Sequence, residues 1–584
     1  MKVLLNGKYY DIEGTITRRQ VNPWTAKMNT GEMSYHDASQ GSLREWHDFR
    51  GGIGQESEIS GGQAKLWWSE GVNTSIEKCM IMGPKVTTAG AFGIACVNIF
   101  DFLGKTYAYG NNLIAEWNPT TSAWVSRETG LASPISHCIV TDETATYAVV
   151  SSLAAAKYTT DGTTWTTLTG MKGYLGVFDH RLCGFSGNTL YYSPYGDIDG
   201  TVVEKKFSAY LGTVYGMFEG KLLTTSEPVL YVISTEGLWA LDFFTKQIYK
   251  QDISFPPYTD AGKCGMYWNS YVWAATGPGI KRISPNLAND VGPDQEDGLP
   301  SGYQGVVYDM EGGTDWMVYC INGGATQKSS VFKRHGTIGG NHQIYTTAAI
   351  NTPIRCIHIS PSSIYDRGRL WWGEGTVIKY VEFPDFNANP MEIAGYQYAS
   401  TSGKAVLPIY RPLAVIPKVA LRLQPLTENC TANRYVTLYY DLCEGSGWVK
   451  VGDFKSSPLP TVYEFGTGGV GLQFYRIKFG VEFTTDSSSE TPKMESLMFT
   501  WLVRPNRIRA WQFTVIAKGS EAEEVFENLQ TAEETNTLLT FYPSGDSSKT
   551  GYQVIVASLP ANIQWDSNRQ EGRILTTVEE VFRG

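Results

Sequence analysis

The residues able to bind a metal or serve as a nucleophile are few and scattered in this 584-residue chain. Its seven histidines are His36, His47, His137, His180, His335, His342 and His358. His335 and His342 alone lie near each other, and their spacing suits no metal loop. The nine cysteines, Cys79, Cys96, Cys138, Cys183, Cys264, Cys320, Cys356, Cys430 and Cys443, are odd in number and form no C-x-x-C. That pattern reads as buried free thiols on strands. Cys430 and Cys443 flank a possible hairpin and are the pair to examine for a disulfide. Gly466-Thr467-Gly468-Gly469-Val470-Gly471 matches G-x-G-x-x-G, but the strand-like Leu472-Gln473-Phe474-Tyr475 follows where a dinucleotide site needs a helix. No H-E-x-x-H, G-x-S-x-G or P-loop occurs. Asn73-Thr74-Ser75 and Asn429-Cys430-Thr431 are formal glycosylation sequons, meaningful only after secretion. The 58 acidic residues hold no pair that spacing alone marks as glycosidase carboxylates. No catalytic, cofactor-binding or metal-ligating residue is therefore assigned, no cofactor is expected, and the chain is expected not to be an enzyme.

The elements that would carry such residues are strands. An aromatic residue followed by an acidic one recurs as Phe100-Asp101, Thr141-Asp142, Phe178-Asp179, Phe218-Glu219, Tyr267-Trp268, Tyr308-Asp309 and Tyr365-Asp366, with Thr141 and Trp268 imperfect. The separations are 41, 37, 40, 49, 41 and 57 residues. Each copy has room for about four short strands and no long helix, the signature of β-propeller blades. Lys65-Leu66-Trp67-Trp68-Ser69-Glu70-Gly71 matches Arg369-Leu370-Trp371-Trp372-Gly373-Glu374-Gly375, which sets the first unit near residue 61 and predicts seven or eight blades. The fold class expected is mainly β: a propeller over 61–390, a jelly-roll-type β-sandwich over 400–505 and a small α+β unit over 506–584.

Residues 1–60 open with a hairpin signal, Asn6-Gly7 between two apolar runs, and otherwise read as an extended arm without a core. Two Pro and two Asn within Phe383–Pro390 mark a boundary. Beyond it the expected strands are longer, at 410–417, 419–426, 435–442, 475–483 and 496–503, and 436–440 and 476–479 alternate in and out. Glu521–Thr535, with Val525, Phe526, Leu529 and Ala532 at helical spacing, is the best helix. The net charge of −10 and the absence of a Lys/Arg cluster argue against a nucleic-acid groove. Asn6-Gly7-Lys8 ends the apolar start too soon for a secretory signal, and no run suits a membrane span.

Thr159-Thr160-Asp161-Gly162-Thr163-Thr164-Trp165 resembles the Asp box of sialidase-like propellers, a structural hairpin turn. That resemblance implies that Asp161 takes the turn's hydrogen bonds, Gly162 supplies a positive φ and Trp165 packs into the blade. Trp117-Asn118-Pro119 to Trp124 is a looser version. Phe49-Arg50-Gly51-Gly52 keeps only Phe-Arg of the sialidase F/Y-R-I-P stretch. A glycan-cleaving or carbohydrate-binding propeller is thus the alternative function.

Asp48-Phe49-Arg50-Gly51-Gly52, Trp67-Trp68-Ser69-Glu70-Gly71, Trp565-Asp566-Ser567-Asn568 and Val578-Glu579-Glu580-Val581 together resemble minor tail or tail-tip (baseplate) proteins of tailed bacteriophages. The last unit is similar in outline to the sandwich-plus-helix ring domains of phage tails. The resemblance implies a non-enzymatic virion tail protein, assembled in the host cytoplasm. Its implied partners are copies of itself in a three- or six-fold ring, other tail proteins and a host surface glycan.

Overall fold

A computed structural model describes the chain apart from residues 22–41, 55–64, 385–388, 400–401, 413–416, 467–470, 504–507, 536–537, 560–563, 566–570 and 581–584, and positions 223, 254, 259, 286, 296–297 and 520. The middle of the chain is a seven-bladed propeller of four-stranded antiparallel sheets. Blade 1 is Asn98–Phe102, Lys105–Gly110, Leu113–Asn118 and Ala123–Glu128. Blades 2 to 6 begin with the inner strands Ser136–Thr141, Tyr174–Phe178, Val214–Lys221, Gly265–Trp268 and Val306–Gly312. Blade 7 holds Ile354–Ser360, Arg369–Glu374 and Val377–Glu382. Its fourth strand is Thr87–Ala91, which comes from ahead of blade 1 and pairs antiparallel with Val377–Glu382 (Lys379 opposite Thr88). The two ends of the propeller are thus tied by main-chain hydrogen bonds.

Second strands such as TYAVVS and WMVYCIN are buried almost throughout, because both of their faces meet neighbouring blades. This explains their near-continuous apolar, β-branched and aromatic character. Trp273, Trp371, Trp372, Tyr231 and Tyr319 are all fully buried, and each such side chain contributes about 1.5–3 kcal/mol by leaving water. The recurrent aromatic–acidic step falls on or at the end of the innermost strand in blades 1 to 6. In blade 7, Tyr365-Asp366 lies in the turn after that strand.

The first 86 residues depart from expectation. Those described are not an arm, and residues 65–86 are not a blade. Lys2–Leu5 and Lys8–Val21 form the hairpin, with Asn6 and Gly7 both at positive φ (47° and 81°). The hairpin then enters the C-terminal sheet: Lys8–Val21 pairs with Ile508–Lys518, and Lys2–Leu5 with Leu539–Tyr542. Tyr552–Ser558 and Glu571–Glu580 continue the order, and Glu571–Glu580 pairs back onto Ile508–Lys518. Six antiparallel strands therefore close on themselves as a barrel. Its core joins Val3, Leu5 and Ile12 to Trp511, Phe541 and Val578, with Leu529 of helix Glu521–Glu534 packed in. The C-terminal unit, expected as a small α+β unit of its own, is completed by the first residues of the chain.

Ser42–His47, Trp68–Glu70, Val72–Asn73 and Met80–Met82 belong to the sandwich, whose main strands are Lys418–Glu428, Tyr435–Asp441, Lys478–Thr484 and Lys493–Val503. Trp46, Met80 and Ile81 share its core with Phe479, Phe499 and Trp501. The match between Lys65–Gly71 and Arg369–Gly375 is not structural equivalence. Trp68 pairs with Val406 in the sandwich, whereas Trp371 and Trp372 lie in blade 7.

Between these domains, Gly52–Ile53 lies parallel to the last strand of blade 6, and Lys65–Leu66 adds beyond it. Gly52 has φ 70°, and a Cβ there would lie 2.4 Å from the backbone N of Asn341. Only glycine permits that approach.

Candidate functional site

One cluster of ionisable groups lies at the seam where blades 1, 6 and 7 meet. His358, on the inner strand of blade 7, stands between two carboxylates. Its Nε2 is 3.1 Å from Asp101 Oδ2 of blade 1, and its Nδ1 is 3.2 Å from Glu311 Oε2 of blade 6. The first contact lacks hydrogen-bond angles, so it is an ion pair only. The cluster continues inward. Trp371 Nε1 donates to Ser360 Oγ (2.9 Å), and Ser360 Oγ donates to Asp101 Oδ1 (3.0 Å). Thr106 Oγ1 also donates to Asp101 Oδ1 (2.6 Å). The Ile359 N–H donates to Glu311 Oε2, and the Ile357 and Met310 N–H groups donate to the two oxygens of Asp309.

Burial by itself lowers the His358 pKa, but Glu311 and Asp101 outweigh it and raise the imidazole to about 10. It is therefore a cation at neutral pH. Burial lifts Asp309 to about 7, with the Ile357 N–H offsetting only part of that. Burial holds His137, which stacks on Phe100, down to about 3, and the His358 charge adds to this. These shifts mark a candidate site. Its donors and acceptors, however, are spent on one another, as in a bolt that joins blades.

A second feature is an open cleft of about 510 Å³ between blades 5 and 6, lined by Tyr258, Asp260, Asp294, Tyr308, Asn322 and Gln327 among others. Asp294 Oδ1 and Gln327 Oε1 are buried without a protein donor, and burial raises the Asp294 carboxyl. Tyr258 is 54% exposed. The cleft offers an exposed aromatic face beside polar side chains, a surface that suits a polar, hydroxyl-bearing ligand.

The motifs singled out in the sequence take other places. Asp161 accepts from the Thr163 and Thr164 N–H groups (2.7 Å each), and these backbone bonds hold its carboxyl well below the usual range. Gly162 has φ 77°, and Trp165 packs on the blade 1–2 core. Asn118 caps the looser turn in the same way, through Thr120 and Thr121. All three implied roles of the Asp-box-like turn are met, and all are structural. Arg50 is committed to Asp48 by two bonds of 2.7 and 2.8 Å, on the strap beside blade 6. The described inner strands carry one arginine, Arg355, against three in the sialidase set. Gly466 and Gly471 lie between the strands Tyr463–Glu464 and Leu472–Phe474, and positions 467–470 fall outside the described residues. Asp566-Ser567-Asn568 also falls outside them. Asn73 is buried and accepts from Ser75. Cys430 and Cys443 are free. Among the described residues no group of three His, Cys, Asp or Glu has metal-binding geometry, and no helix is long and apolar enough to cross a membrane.

Asp101 and Asp309 stood in the repeated step, but nothing local tells that blades 1, 6 and 7 meet at His358.

No protein-family profile and no curated protein matches the chain. Among solved structures, it is similar to the extracellular domain of the putative hybrid two component system BT4673 of B. thetaiotaomicron, at 10% identity and TM-score 0.37 over 69% of this chain and 62% of that one. The chain thus spans about three fifths of that structure's length. It is also similar to a chain of a mitotic checkpoint complex (13% identity, TM-score 0.37, 56% of this chain and 98% of that one). A third likeness is to Saccharomyces cerevisiae Sqt1 (10%, 0.35, 52% and 99%).

Proposed function

We propose that the chain is a non-enzymatic structural subunit of a tailed-bacteriophage tail tip or baseplate, joined to copies of itself and to other tail proteins through its terminal barrel. One observation carries this reading. The first 21 residues and the strands after 508 build one closed barrel with a flanking helix, and Val578-Glu579-Glu580 of the tail-protein resemblance lies on its last strand. The sandwich and propeller then extend from that module. A barrel-plus-helix unit suits ring assembly, with three or six copies around the tail axis.

The test is incorporation. Removing the barrel segments, residues 1–21 and 508–584, should abolish entry into particles while the propeller stays folded. Entry of that truncated chain into virions, or absence of the intact chain from purified particles, overturns the proposal. The cleft between blades 5 and 6 favours a further contact with a host surface glycan. A glycan array probed with the propeller checks it, and the absence of any Tyr258-dependent hit would remove it.

A further inference from the structure

Two thiols face each other across the propeller's closing seam. Cys96 leads into the inner strand of blade 1, and Cys356 sits on the inner strand of blade 7. Their Sγ atoms are 3.6 Å apart, at a sequence separation of 260 residues. Both are buried, at 4% and 0% exposure. The backbone makes room for the pair. A Cβ on Gly373 would lie 2.6 Å from Cys96 Cβ and 3.0 Å from Cys356 Sγ, so no other residue fits there without pushing them apart. The remaining polar contacts are weak: Cys96 Sγ meets the Asn98 carbonyl at 3.5 Å, and Cys356 Sγ the Cys96 carbonyl at 4.0 Å. A rotation of the side chains by about 1.5 Å at sulfur would bring them to the ~2.05 Å of a disulfide.

We propose that Cys96 and Cys356 are an oxidative modification site, joined by a low-molecular-weight disulfide of the glutathione class into a bond that covalently closes the propeller. One thiol loses a proton and attacks a sulfur of the oxidant, which releases one reduced glutathione. The second thiol loses a proton and attacks the protein sulfur of the mixed disulfide, which releases another. Two electrons pass to the oxidant, one bond forms in the protein and the oxidant's bond breaks. Since burial holds both sulfurs away from the oxidant and disfavours the Cys96 thiolate, exchange proceeds when the seam opens or before it first closes. The network from Trp371 to His358 spans the same seam, so it sets how often the pair is exposed. This inference is independent of the tail reading.

The experiment refolds the reduced chain from denaturant in a glutathione buffer rich in the oxidised form, quenches it in acid, alkylates it and maps tryptic peptides by mass. The expected product is a Cys96–Cys356 cross-link in most chains, with the propeller's melting midpoint raised by about 5–10 °C. Cys96→Ser should lose both the link and the oxidant-dependent rise, while its unoxidised melt stays close to that of the reduced parent. In the already folded protein, Ser360→Ala should speed cross-linking several-fold by loosening the seam. Two results overturn the proposal: both cysteines alkylated after oxidative refolding, or oxidation confined to other cysteines such as Cys430 and Cys443.

Discussion

His358→Gln removes the one cation between Asp101 and Glu311 and leaves two carboxylates facing each other in a buried seam. The magnitude follows from the pKa. The imidazole moves from its ordinary 6.5 to about 10, and each tenfold step of that rise is worth about 1.4 kcal/mol, so the whole is at the upper end of about 3–5 kcal/mol. Breaking a buried pair from one side costs about 3–5 kcal/mol in general, so the two routes agree. The sign is fixed by linkage. A folded-state pKa above the unfolded one means that the stabilisation is complete below pH 6.5, erodes as pH rises and is gone above about 10. Asp309, raised to about 7 by burial although the His358 charge opposes this, adds the same direction between roughly pH 4 and 7, and loss of that charge raises it further in the variant. The assay is urea unfolding followed by tryptophan fluorescence and by hydrogen exchange at the Ile359 amide, at pH 6 and pH 9.5. The variant should be less stable by about 3–5 kcal/mol at pH 6, and most of that gap should vanish by pH 9.5. A gap below about 1 kcal/mol, or one that is equal at both pH values, would refute the charged-bolt reasoning.

Gly162→Ala forces a side chain into a positive-φ turn with its Cβ 2.2 Å from Tyr107 Oη, and thermal denaturation should show a loss of about 1–3 kcal/mol. Ala89→Asp sets a carboxylate into the fully buried core shared by Trp117, Trp371 and Ile378. It should release the closing strand Thr87–Ala91, visible as fast hydrogen exchange across Val377–Glu382, at a cost of about 3 kcal/mol or more. Deleting residues 1–21 removes two of six barrel strands, so limited proteolysis should cut residues 508–580 while the blades resist.

The propeller was legible because it repeats: an inner strand, a turn and a buried second strand recur near every 40 residues, and local residue choice reports each one. What the sequence hides is which distant segments meet. Asn6-Gly7 announces a hairpin, but nothing near it names Ile508–Lys518 and Leu539–Tyr542 as its neighbours. Leu66-Trp67-Trp68 and Leu370-Trp371-Trp372 look alike because burial between two packed layers asks for the same side chains in a sandwich or in a blade. The Asp-box-like turn was readable down to the atom, since all its bonds lie within six residues. The seam was not, because Asp101, Glu311 and His358 arrive from three blades, and Cys96 and Cys356 from opposite ends of the ring.

The barrel has a temporal consequence. Its first hairpin is made long before its partners Ile508–Lys518 and Leu539–Tyr542 and the closing strand Glu571–Glu580. The sandwich is likewise split around the propeller, with strands before residue 83 and after 402. The three domains therefore nest like brackets. In a growing chain the propeller can close first, the sandwich second and the barrel only at the end. Translation that stops within the propeller or the sandwich leaves the opening hairpin with unpaired edges.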